Sequence, residues 1–157
     1  MKISKIGKAV VFTLLLLGCI NKEPENIQPR EKKCEHCNMG IAQMMYHSQI
    51  ITPKGRKIHF DSIECMVSFW LEDEAKAEKL FVKSFDRSNE WLEIHKAIFL
   101  KSEKLASPMS ANLSSYKSVE NALHAKKEFG GKILQLPELK TYIKSEWKKE
   151  LSEKSKL

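Results

Sequence analysis

The sequence has little with which to do catalysis. It carries no paired carboxylates set for acid–base work, no Ser/His/Asp order and no Gly-rich loop to cradle a phosphate. Its four cysteines, in 157 residues, are too few for a disulfide scaffold. The apolar stretch Ala9–Leu17, interrupted by Thr13, is too short to span a bilayer, which takes roughly 20 residues. With 42% hydrophobic and 30% charged residues, the chain is neither disordered nor polytopic. Its length suits one ordinary domain or two very small ones.

Acidic residues are missing from residues 1–18, which read as an export signal. Lys2, Lys5 and Lys8 form a basic flank, the apolar core follows, and the segment ends Leu16-Leu17-Gly18-Cys19. That ending resembles the lipobox of bacterial lipoproteins, in which the cysteine is acylated. Lipidated Cys19 would be the mature N-terminus and hold the protein to a bacterial membrane, outside the cytoplasm; more than one acyl chain anchors stably. Ile20 in place of an aspartate retention signal favours the outer membrane. Residues 19–33, with Pro24, Pro29 and few apolar side chains, read as a tether. The formal net charge of +7 invites a nucleic-acid reading. However, the export signal holds three of those charges and the tail Lys140–Leu157 another three. About +1 remains for residues 19–139, so no nucleic-acid partner is expected.

The rest of the chain carries one pattern twice, predicting an α+β fold of two small ββαβ units packed as a two-lobed domain. In residues 34–86, Gly40–Thr52 and Lys57–Phe60 are strand-like around a Lys54-Gly55 turn. Asp61 is placed as an N-cap with Glu64 completing a capping box. Ile63, Met66, Val67, Trp70 and Leu71 share a helical face, predicting a helix to about Glu78, and Leu80–Phe85 closes the unit. In residues 87–139, Ala97–Lys101 and Asn112–Tyr116 are strand-like. Ser118 caps a helix that Gly130-Gly131 ends, and Lys132–Leu136 is the last strand. In residues 140–157, Ile143, Trp147 and Leu151 have helical spacing. That basic tail could pack on the domain, touch lipid or, as the default for such a composition, stand solvated.

Sulfur is concentrated in Cys34-Glu35-His36-Cys37-Asn38-Met39-Gly40, and three chemistries compete for it. A Cys-x2-Cys pair is half of a structural zinc site, which Cys65 and one of His36, His47 or His59 could complete, but no second tight Cys/His pair exists. The pair also suits extracytoplasmic thiol–disulfide chemistry. That site sits after a strand at a helix N-terminus, whereas here a proline-containing segment precedes Cys34; a plain Cys34–Cys37 disulfide stays open. Thiolate and thioether together select Cu(I), and Cys37 and Met39, two apart in a loop, can converge on one ion. Neither zinc nor redox chemistry needs Met39. Ser107-Pro108-Met109 offers a second methionine on a turn stiffened by proline, with core packing as its alternative role. Cys65, near a helix start that favours thiolate, is either a buried inert thiol or a ligand.

These segments resemble the NosL family of periplasmic copper-binding lipoproteins. The resemblance rests on Cys34-x-x-Cys37-x-Met39-Gly40, Phe60-Asp61-Ser62-Ile63-Glu64-Cys65-Met66, Ser107-Pro108-Met109 and Phe129-Gly130-Gly131-Lys132-Ile133-Leu134, in that order over about Cys34–Leu139. It implies two ββαβ units and Cu(I) binding through Cys37, Met39 and Met109. From the residues themselves we expect one Cu(I) per chain, a non-enzymatic role, and Cys34, His36 or Cys65 as further candidate donors. The resemblance also implies delivery of copper to an extracytoplasmic metalloenzyme, above all in nitrous oxide reductase maturation, with an ABC-type assembly complex as partner. Asn38 stands where the family often has glycine. The chain lacks the His2Cys-plus-Met set of a blue-copper electron carrier. Two rival functions follow from the residues: a thiol oxidoreductase using Cys34 and Cys37, and a zinc-stabilised interaction module.

Overall fold

The computed structural model describes residues 21–149. The export signal, Cys19 and Leu151 lie outside the described residues. Strands β1 (Ser48–Ile51) and β2 (Lys57–Phe60), helix α1 (Ile63–Glu72) and strand β3 (Lys79–Lys83) form the first ββαβ unit. Strand β4 (Trp91–Glu93) extends its sheet, giving the antiparallel order β2-β1-β3-β4. Strands β5 (Ile98–Lys101) and β6 (Leu113–Tyr116), helix α2 (Val119–Phe129) and strand β7 (Lys132–Leu134) form the second, in the order β6-β5-β7. In both units the first strand is central, flanked by its hairpin partner and by the strand that follows the helix. Helix α3 (Leu136–Tyr142) then runs into a π-helical turn, Ile143–Trp147. Among the described residues no helix is long and apolar enough to cross a membrane.

Strand alternation divides the first sheet into two buried faces. Ile50, Ile58, Leu80, Val82 and Leu92 face the main core with Ile63, Met66, Val67 and Trp70 of α1. In the second sheet Phe99, Leu113 and Leu134 join that same core, while Leu100 packs with Tyr116, Ala122 and Ala125 under α2. One shared core therefore fixes the two units against each other. The Gly130-Gly131 stop is demanding at Gly131, whose φ is +91° and where a Cβ would lie 2.1 Å from the Lys101 carbonyl oxygen.

Several local expectations need correction. Only Ser48–Ile51 of the long segment Gly40–Thr52 is paired strand, preceded by a 3-10 turn at Met44–Tyr46. Ile41 and Tyr46 are an odd number of residues apart, so one flat strand could not bury both on one face. Ser62, not Asp61, caps α1, accepting from the Cys65 N–H at 3.3 Å. The helix stops at Glu72 because Asp73 is extended and caps the separate 3-10 turn Glu74–Lys76.

The segment read as a tether is docked from Lys22 onward. The Glu25 backbone pairs with the Gln49 side chain. Its carboxylate meets Lys57 and His59, each at 3.1 Å, and Asn26 Oδ1 accepts from Lys83 and Trp91. This strap covers the outer face of the first sheet. The C-terminal segment is likewise not a solvated tail as far as it is described: Leu139, Tyr142, Ile143 and Trp147 belong to the main core.

Candidate metal centre

The cysteine loop is closed at its base. Lys33 bridges Gly40 across the loop, the Cys34 N–H donates to the Met39 carbonyl at 2.8 Å, and the Asn38 N–H donates to the Cys34 carbonyl at 2.9 Å. The Glu35 N–H donates to the His59 carbonyl at 3.0 Å, tying the loop to β2. Asn38 takes a left-handed φ of +62°, which glycine adopts freely and asparagine tolerates better than most residues. Asn38 thus meets the backbone demand that glycine would meet.

The start of α1 supplies the other half of the site. Because Ser62 does the capping, Asp61 is free to turn inward. It is buried, its Oδ2 accepts from the Cys37 thiol at 3.2 Å, and its Oδ1 has no hydrogen-bond partner. Cys65 lies one turn along. One ligand atom each of Cys34, Cys37, Asp61 and Cys65 falls within 4.8 Å of the other three. These three cysteines are free thiols, so Cys34 and Cys37 are not joined in a disulfide.

The three thiols differ electrically. Cys34 Sγ accepts a hydrogen bond from the Cys65 thiol and from the backbone N–H groups of Cys37 and Asp61. These bonds lower its pKa to about 7 against the opposing effect of burial. Burial raises Cys37 to about 12, partly offset by the Met39 N–H. The bond it gives to Cys34, then burial, push the Cys65 thiol up. Exposure does not follow acidity: Cys34 is 2% and Cys65 0% exposed, while Cys37 is half-buried. A redox nucleophile must be both acidic and accessible, and none of these three thiols combines the two.

Met39 is 43% exposed on the loop next to Cys37. His36 does not join the four-residue group; its ring lies against Trp147, centroids 6.4 Å apart. His47 and His59 pair with each other, Nε2 to Nδ1 at 3.2 Å, and so do not complete a zinc set. Met109 is half-buried against the main core rather than fully exposed. Its loop is pinned from two sides. The Ser107 hydroxyl donates to the buried Glu64 carboxylate on α1, and the Met109 carbonyl accepts from Trp147 Nε1 at 3.2 Å. Sequence reasoning missed Asp61 as a site residue because it assigned that carboxylate to the cap. The signal was there in Ser62, as good a cap as aspartate and one residue closer to the apolar run.

A family model described as NosL matches residues 26–143. The chain belongs to the NosL family. Among solved structures, the crystal structure of the copper chaperone NosL from Shewanella denitrificans is similar, with a TM-score of 0.65 at 17% identity. The match covers 75% of this chain and 96% of that one. At that identity the likeness establishes the fold, which is the NosL fold; among the described residues it comprises two sheets and three α-helices. No curated protein matches the chain. The NosL match spans both the cysteine loop and the Met109 loop, and it ends inside the π-helical turn, before Trp147.

Proposed function

We propose that this protein carries one Cu(I) to an extracytoplasmic metalloenzyme. The reading rests on one observation: three free thiols and a carboxylate with an unpartnered buried oxygen converge within 4.8 Å. They do so beneath a loop that exposes a thioether. Soft sulfur donors in excess select Cu(I) over harder ions. The donors assigned to the cargo are the Cys37 thiolate, Met39 and Met109, with Cys34 and Cys65 as the buried sulfur behind them. His36 is kept against Trp147 and is a reserve donor only. Cys37 must lose its proton to bind, which frees Asp61 Oδ2 from the hydrogen bond it now accepts from that thiol.

The rise in exposure from Cys65 through Cys37 to Met39 gives the acceptor a side from which to displace donors one at a time. The membership in the NosL family and the copper chaperone among the solved relatives support a carrier. The destination we assign is nitrous oxide reductase maturation, through an ABC-type assembly complex. Lipidated Cys19 would hold the carrier to the periplasmic face of a membrane, the outer one by its Ile20, and raise its effective concentration near a membrane partner.

A second reading is favoured by the same geometry. Cys34, Cys37, Cys65 and Asp61 are four donors, enough to close a tetrahedral zinc site. Metal analysis and Cu(I) titration of anaerobically prepared protein separate the two. Stoichiometric Cu(I) uptake that weakens in Met39→Ala and Met109→Ala supports the carrier. Bound zinc with no Cu(I) uptake refutes it.

A further inference from the structure

Trp147 lies beyond the last residue matched by the NosL family, yet it is 2% exposed. It is the last residue of the π-helical turn, a wide-turn geometry that is rare and frequently found at functional sites. Its indole N–H donates to the Met109 carbonyl, and its ring faces that of His36, two residues from Cys34 and next to Cys37. Its neighbours Ile143, Tyr142 and Leu139 anchor the segment in the core. One side chain therefore touches both loops that carry the assigned copper donors, and it comes from a part of the chain outside the family match.

We propose that Trp147 is a positioning residue and cap for the copper site: it fixes the Met109 loop against the cysteine loop and slows release of Cu(I). This rests on the copper reading above. The indole bond holds the backbone of the residue whose thioether is a donor, so its loss leaves the thiol donors intact and frees the methionine side. Copper would then be held almost as tightly at equilibrium but surrendered faster. The indole lies against the Met109 carbonyl and the His36 ring, so on this proposal a bound Cu(I) quenches its emission.

The experiment has two arms on the full mature chain. In a Trp70→Phe/Trp91→Phe background Trp147 is the remaining tryptophan, and its emission is followed during anaerobic Cu(I) titration. Uptake is measured in parallel by competition with a chromophoric Cu(I) chelator. Emission should fall in proportion to uptake and saturate at one equivalent. In the second arm Trp147→Phe, which keeps an aromatic ring and removes the donor, should release Cu(I) to excess chelator about three- to tenfold faster, the scale of one lost hydrogen bond. In a Met109→Leu background the Trp147→Phe substitution should no longer change the release rate. Normal uptake with unchanged emission and an unchanged release rate overturns the cap while leaving the carrier standing. Failure of uptake itself overturns both, and the chelator assay reports it separately.

Discussion

The Ser107 hydroxyl donates to the Glu64 carboxylate, which is fully buried on α1. Glu64 also accepts from the Ala111 N–H at 3.4 Å, and Ser107 Oγ accepts from the Asn112 N–H at 2.9 Å. The loop carrying Met109 in the second unit is thereby fastened to the helix carrying Cys65 in the first. Burial raises the Glu64 pKa, and its second oxygen has no partner, so the fastening is held under a desolvation cost that only its hydrogen bonds offset.

Removing the Ser107 hydroxyl tests this link. Ser107→Ala leaves the buried carboxyl with one fewer donor and the Asn112 N–H without its acceptor. The expected cost is about 1–3 kcal/mol in chemical denaturation, together with weaker Cu(I) binding. A variant as stable as the parent, with unchanged copper affinity, would show that the two units hold the Met109 loop by apolar packing alone.

Asn38 is a second test, because its demand is on the backbone rather than on a ligand. Asn38→Gly should fold and bind Cu(I) as the parent does. Asn38→Val, β-branched at a φ of +62°, should lose about 1–2 kcal/mol of stability. Equal stability of the two variants, measured by thermal unfolding, would contradict the left-handed assignment.

The strap over the first sheet makes stability pH-dependent. Glu25 Oε1 meets His59 Nε2, and His59 Nδ1 meets His47 Nε2, leaving His47 Nδ1 buried without a partner. Burial, then the neighbouring His59 and Lys83, lower the His47 pKa to about 3. The unfolded chain therefore binds a proton near pH 6.5 that the folded chain refuses until about pH 3. Stability contributed by neutral His47 is full above pH 6.5 and falls as the pH drops through that window, by at most about 1.4 kcal/mol per pH unit. His59 is lowered in the same sense by burial, against the opposing pull of Glu25. His47→Gln should flatten the profile of unfolding free energy between about pH 6.5 and about pH 4 relative to the parent. Parallel profiles would contradict the assignment.

Much of this molecule was legible in its sequence, for physical reasons. The strand Lys57–Phe60, the Ser118 cap and the Gly130-Gly131 stop depend on short-range backbone preferences, which a sequence states directly. The ββαβ order followed from periodicity switching between two and about 3.6. The strap and the C-terminal packing did not, because polar residues such as Glu25 and Asn26 are bound by partners 24 to 65 positions away. Nothing local marks such contacts. The cysteine loop announced its chemistry by composition, since thiols and a thioether crowd one short segment. Asp61 was hidden because a carboxylate before a helix serves equally as a cap. Cys65 read equally as an inert buried thiol or a ligand, and only the fold brings it to Cys34.

The assignment of thioether donors is tested most directly by selenium-edge X-ray absorption on selenomethionine-labelled protein loaded anaerobically with one equivalent of Cu(I). The account predicts copper scattering from selenium, reduced in Met39→Ala and again reduced in Met109→Ala. Stoichiometric copper with no copper–selenium scattering would contradict it and place the metal wholly among Cys34, Cys37, Cys65 and Asp61.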